Sequence, residues 1–170
     1  HDELAAISDY TNESYVTINS GLRGDNDRLI KKELEIRFII SGLNKLHHFE
    51  GVVYRALGWG KDLDEVNKNR LDKLFSGIKI DDTSKLDDAF LSSTKDKGTH
   101  FLCSPFIYEI HSKTGREITD FSSRPEEKEV LFLPKTKFKF IRKLVKNLDR
   151  AKCKQNYGFE QQYWVTIKEI

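Results

Sequence analysis

The chain has 170 residues, of which 38% are hydrophobic and 33% charged, with a formal net charge of +2. That length supports one domain with a substantial core and excludes two of typical size. The composition describes a soluble globular protein, and no apolar run approaches the roughly 20 residues a helix needs to span a bilayer. Cys103 and Cys153 are the only cysteines and form no CxxC or metal-like cluster, so pairing and free thiols both stay open. The chain begins at His1 and holds no methionine, from which we expect a processed or trimmed piece whose targeting signal is not visible.

The first half reads as helical. Leu4 to Ile7 opens a short helix towards Tyr10, and Asn12 or Ser14 is expected to cap a second one through Tyr15, Ile18 and Leu22. Asp27 precedes a longer amphipathic stretch with Leu29, Ile30, Leu34, Phe38 and Leu43 near helical spacing. A further helix is predicted from Asp62 to Phe75, after an early strand at Gly51–Arg55. From residue 88 the period changes, and strands are predicted at Ala89–Ser92, Phe106–Ile110, Val130–Leu133, Phe138–Ile141 and Tyr163–Ile167. Thr114-Gly115 reads as a turn, and Pro134 ends its strand. Helices followed by strands predict an α+β domain, and the absence of repeats or linkers predicts a single one over 1–170.

The small net charge hides an asymmetry. Residues 135–154 hold nine Lys or Arg against Asp149 alone, so the remainder is net acidic. Such a stripe can bind nucleic acid or an acidic partner. Lys135, Lys137 and Lys139, however, alternate with Thr136, Phe138 and Phe140, the period of a half-buried strand whose lysines face water and defend a sheet edge. His47, His48, His100 and His111 match no zinc-ligand spacing, so no metal is expected. No Rossmann or Walker glycine loop is present, and Gly58-Trp59-Gly60 reads as a turn near Arg55.

Three short motifs carry chemistry. Val53-Tyr54-Arg55 ends a strand with a guanidinium, which on a rigid element can grip a phosphate or carboxylate. Phe90-Leu91-Ser92-Ser93-Thr94 ends a strand in three hydroxyls, able to satisfy loop backbone or to orient a carboxylate. Glu127-Lys128-Glu129 places two acids at i and i+2 before the apolar run to Leu133. On an extended backbone these project from one face, and two like charges aimed at one spot repel. Alone, such a pair is commonly a solvated corner leading into an edge strand.

In this order the three motifs resemble the arginine-type mono-ADP-ribosyltransferases. Tyr10-Thr11, Tyr15, Ile18-Asn19 and Leu22-Arg23 are similar to the first-helix pattern of bacterial toxin members. Ile110 to Ile118, Phe121-Ser122 and Glu126 to Pro134 are similar to the family's C-terminal half. The resemblance implies a split core of two mostly antiparallel sheets with helices toward the N-terminus. It implies NAD as a substrate, with Arg55 and the adjoining Ala56 at its phosphates, Tyr15 and Asn19 lining its cleft, and Phe101 stacking near nicotinamide. Ser92 would orient Glu129, which would hold the ribose and stabilise the positive charge that develops as nicotinamide leaves. Glu127 would engage the nucleophile, and Glu rather than Gln there implies arginine as acceptor. Water as acceptor would make the enzyme an NAD glycohydrolase. Two departures stand out: the triplet is Ser-Ser-Thr rather than Ser-Thr-Ser, and Arg124 occupies the place of an aromatic substrate-recognition residue.

We therefore expect a secreted bacterial toxin or effector that acts inside a target cell. Its partners would be NAD and a protein presenting an arginine, with no nucleic acid and no transmembrane segment. The contrasting expectation is a non-catalytic module that binds nucleic acid or an acidic protein through residues 135–154.

Overall fold

The computed structural model describes residues 2–57, 65–98, 103–148 and 160–170. Helix α1 (Asp2–Asp9) runs through a π turn at Tyr10–Ser14 directly into α2 (Tyr15–Leu22). The cap expected at Asn12 or Ser14 is absent: Ser14 keeps helical angles, φ −66° and ψ −21°, and makes no side-chain cap bond. The wider turn absorbs one extra residue while leaving Ile7, Tyr10 and Ile18 all buried. Gly24, at φ 119°, then reverses the chain in a conformation that glycine adopts without steric cost. Helix α3 (Asn26–Lys45) is capped by Asp25, whose Oδ1 accepts the Arg28 amide at 3.2 Å. Its buried face is Ile36, Ile39 and Leu43, whereas Ile30 and Leu34, expected on the apolar stripe, are exposed.

Seven strands follow: β1 (His48–Leu57), β2 (Thr83–Lys85), β3 (Leu91–Thr94), β4 (Phe106–Glu117), β5 (Glu129–Phe132), β6 (Lys137–Asn147) and β7 (Gln161–Glu169), with α4 (Glu65–Gly77) between β1 and β2. They form a sheet in the order β1-β3-β5-β4-β7-β6-β2, in which β1 also pairs with β4. The expected split core is present as two leaves that share β1 and β4, and every pairing is antiparallel except β4 with β7. Val53, Phe106, Tyr108 and Ile110 of one leaf meet Leu91, Val130 and Phe132 of the other, with Leu71 of α4 closing this core. A second core seats α1 to α3 on the outer side of the smaller leaf, through Ile7, Tyr10, Ile18, Ile39 and Leu43 against Phe90 and Leu131. Alternation along β5 thus sends Val130 and Phe132 to one core and Leu131 to the other.

Thr114-Gly115 is not a turn but lies inside β4, where the register with β1 shifts between Phe49 and Gly51. The irregular backbone is held by the buried Glu169 carboxylate, which accepts the Lys113 and Thr114 amides at 2.6 and 2.8 Å. Glycine is required at 115 by a close approach. A Cβ there would sit 2.7 Å from both Ser112 Oγ and Val130 Cγ1 and 3.1 Å from Phe132 Cε1. We expect Gly115→Ala to cost about 1–3 kcal/mol through overpacking, read as a lower denaturant midpoint with an unchanged slope. An unchanged midpoint would mean that Val130 yields freely.

Phe138 and Phe140 face the core while Lys137 and Lys139 face out, as their alternation predicts. That segment is not a bare edge, because β2 pairs with residues 137–139. Other basic residues have internal tasks. Lys143 Nζ donates to the Phe75 and Ile78 carbonyls at 3.1 and 2.8 Å, closing the C-terminal end of α4. Lys146 lies 3.9 Å from the Trp164 ring centroid. Cys103 is disulfide-bonded; Cys153 lies outside the described residues.

Candidate active site

Three neighbouring strands bring together residues 37 apart in sequence. Tyr54 on β1 pairs with Thr94 on β3, and Thr94 pairs with Glu129 on β5. Arg55 Nη1 donates to the Ser92 carbonyl at 2.7 Å, fixing the guanidinium against β3. Burial lowers the Arg55 pKa, opposed by the nearby charge of Asp87. Glu129, the first residue of β5, is only 6% exposed. Burial pushes its carboxyl above the usual range, a side-chain hydrogen bond from Ser92 and the Arg55 charge pull it back, and the Glu127 charge pushes it up further. The arrangement is a desolvated carboxylate held in one orientation beside a fixed cation.

Glu127 arrives differently from the extended-backbone expectation. It ends a single 3₁₀ turn, Pro125–Glu127, and Lys128 behind it takes the left-handed conformation at φ 45° and ψ 50°. Strand alternation therefore does not set the spacing of the two acids; a left-handed residue between them does. The Glu127 charge still reaches Glu129, adding to the rise that burial causes. The exposed Glu127 side chain meets the Arg124 guanidinium at 3.4 Å.

The helical side contributes an uncommitted acceptor. Asn19 on α2 donates from Nδ2 to the Tyr10 hydroxyl at 3.0 Å, and both side chains are buried. Burial raises the Tyr10 pKa, the Asn19 bond lowers it, and the charges of Glu129 and Arg55 act on it in opposite senses. The Oδ1 atom of Asn19 is buried without a partner among the described residues. An orphaned buried acceptor costs about 1–3 kcal/mol, which a hydroxyl or amide donor of a bound nucleotide would remove. Tyr15, four residues earlier on the same helix face, is half exposed, with its ring 6.5 Å from that of Tyr10.

Ala56 follows Arg55 on β1, partly buried opposite Ile107; Phe101 lies outside the described residues, as do Gly58-Trp59-Gly60 and His100. The sequence reading gave no role to three further neighbours. Arg23, at the end of α2, makes a bidentate pair with Asp87 at 2.8 and 2.6 Å. Burial pushes Asp87 up, but the bonds from Arg23 and the Ala89 amide outweigh it and hold the carboxyl low. Tyr108, opposite Arg55, is pushed up to about 12 by burial. Asp87 precedes its strand with no motif spacing, so only the fold could find it. No group of three His, Cys, Asp or Glu suited to a metal occurs among the described residues.

The model of the ADP-ribosyltransferase exoenzyme family matches residues 1–159. The chain belongs to this family. It is 30% identical over 147 residues to the NAD(+)–protein-arginine ADP-ribosyltransferase Tre1 of Serratia proteamaculans (strain 568), covering 86% of this chain and 30% of that protein. It is 29% identical over 148 residues to a Mycobacterium avium (strain 104) protein carrying the provisional name NAD(+)–arginine ADP-ribosyltransferase Mav, covering 85% and 16%. The chain thus spans less than a third of either relative's length. Among solved structures, the toxin Plx2a of Paenibacillus larvae superposes with a TM-score of 0.73 at 19% identity, covering all of this chain and 86% of that one. The Vis toxin of Vibrio splendidus gives a TM-score of 0.68 at 20% identity, covering 99% and 73%. The α+β fold is that of these ADP-ribosyltransferase toxins.

Proposed function

We propose that this chain is a catalytic domain, residues 1–170, that moves ADP-ribose from NAD to an arginine of a target protein and releases nicotinamide. The observation that carries the reading is the buried Glu129 carboxylate, hydrogen-bonded by Ser92 and flanked by Arg55 and Glu127. When the bond between ribose and nicotinamide breaks, its electron pair leaves with nicotinamide and the sugar carbon becomes positive. A fixed, desolvated carboxylate attracts that charge more than it attracts the neutral ground-state ribose. In this reading Arg55 and Ala56 lie at the phosphates, Tyr15 and Asn19 line the cleft, and Phe101 stacks near nicotinamide. Glu127, exposed at the mouth, orients the incoming guanidinium and takes its proton.

Both curated relatives are named for arginine as acceptor, and the Vis toxin has been solved in complex with agmatine, a small guanidinium compound. Structural neighbours include toxins and a type III effector, which supports secretion and action inside a target cell. The contrasting binding-module reading loses force because Lys143 and Lys146 serve α4 and Trp164. Nicotinamide release from NAD should rise several-fold when agmatine is added, with ADP-ribosyl-agmatine found by mass spectrometry. Release that ignores agmatine would instead make water the acceptor, and no release under any condition would sink the enzyme reading.

A further inference from the structure

The Ser-Ser-Thr triplet departs from the commoner order at its second and third positions, and the structure gives those hydroxyls distinct partners. Ser93 Oγ donates to the Val130 carbonyl at 2.7 Å, bracing β3 against β5 inside the core. Thr94 Oγ1 donates to the Glu127 carbonyl at 2.6 Å and accepts the Asp96 amide at 3.0 Å. Two further links join the same short segments. The Lys95 amide donates to the Lys128 carbonyl at 3.2 Å, and Lys128 Nζ meets Asp96 Oδ2 at 3.2 Å. Thr94 itself is buried, whereas Glu127, Lys128 and Asp96 expose their side chains.

These contacts lie where Glu127 needs them. Its turn has only three residues and one left-handed position, and it stands on β5 solely through Lys128. A Lys at φ 45° forfeits the free choice that glycine has, so the surroundings must hold it there. Of the polar atoms tying the turn to β3, the Thr94 hydroxyl is the buried one and makes the shortest bond. Water competes more for the exposed Lys128–Asp96 pair than for the part-buried Thr94 hydroxyl bond.

We propose that Thr94 is a positioning residue: its hydroxyl latches the Glu127 carbonyl to the end of β3 and thereby sets where the Glu127 carboxylate meets the acceptor. The inference rests on the transferase reading above for its consequence, and on the hydrogen bonds alone for the latch. In transfer, an acceptor nitrogen bonds to the ribose carbon as nicotinamide departs with the old bond's electron pair, and the nitrogen's proton passes to the Glu127 carboxylate. In hydrolysis a small water molecule replaces the guanidinium and tolerates a looser partner. A displaced Glu127 therefore penalises transfer more than hydrolysis.

The test compares wild type, Thr94→Val and Thr94→Ser. Valine keeps the shape and removes the hydroxyl, while serine restores it. Two measurements are made on each: hydrogen exchange of segment 124–132, and the ratio of agmatine modification to acceptor-free nicotinamide release. Thr94→Val is expected to speed exchange at residues 126–128 while sparing 130–132. It should lower the ratio by about ten- to a hundredfold, and Thr94→Ser should restore both readouts. Unchanged exchange at 126–128 overturns the latch even if the wild type turns out to be inactive. Faster exchange with both reactions falling in step overturns the positioning role, leaving Thr94 a purely structural residue. Absence of turnover in the wild type refutes the transferase reading instead, and the exchange data then decide the latch by themselves.

Discussion

Glu129→Gln is expected to reduce nicotinamide release by about 10²–10³-fold or more, the scale on which one preorganised electrostatic partner of a transition state acts. Glutamine preserves volume and can still accept the Ser92 hydroxyl, so the change isolates the negative charge. The same charge costs the fold something. Burial raises the Glu129 pKa, so the folded state binds this proton more tightly than the unfolded chain does. Stability then falls as pH rises from the ordinary carboxylate value through the raised one, and the loss persists at neutral pH. The glutamine variant lacks that loss and should melt higher than wild type at pH 7, with the difference closing as pH drops below about 4. Activity should show the mirror image, an acidic limb above the ordinary carboxylate value in wild type. Turnover assays and melting curves at matched pH check both. Retained turnover in Glu129→Gln would remove Glu129 from the chemistry.

This opposition explains why some parts of the molecule were legible in the sequence and others were not. Strand alternation around Phe138 and Phe140 has one physical cause, a face in the core, and it reads directly. The same logic failed at Glu127-Lys128-Glu129, where a left-handed Lys128 breaks the extended backbone that alternation assumes. It failed at Gly115 because a glycine demanded by a close approach to Val130 looks, in sequence, like a glycine demanded by a turn. In α3 the apolar residues are spread around the helix, so periodicity alone could not choose Ile36 and Ile39 over Ile30 and Leu34. Arg55, Ser92 and Glu129 were found through motif order, which carries the register of three strands that no local pattern encodes. Asp87 and the Asn19–Tyr10 bond have no such signature, since each depends on where α2 lands against the smaller leaf.

The second large effect separates the two carboxylates. Glu127→Gln is expected to lower agmatine modification by about 10²–10⁴-fold, the usual range for loss of a positioned general base, while acceptor-free nicotinamide release falls far less. Exposure permits this division of labour: the Glu127 side chain is half open to solvent, whereas Glu129 is buried. Arg124 already sets a guanidinium 3.4 Å from the Glu127 carboxylate. An exposed pair of this kind is worth about 0–1 kcal/mol, so an acceptor guanidinium can displace it at little cost. The two acids are also coupled, because the Glu127 charge helps raise the Glu129 pKa. Removing that charge should move the acidic limb of the residual hydrolysis to lower pH, a shift that a merely misfolded variant would not produce. Parallel loss of transfer and hydrolysis, with the limb unmoved, would place both glutamates in one indivisible role and reject the separation argued here.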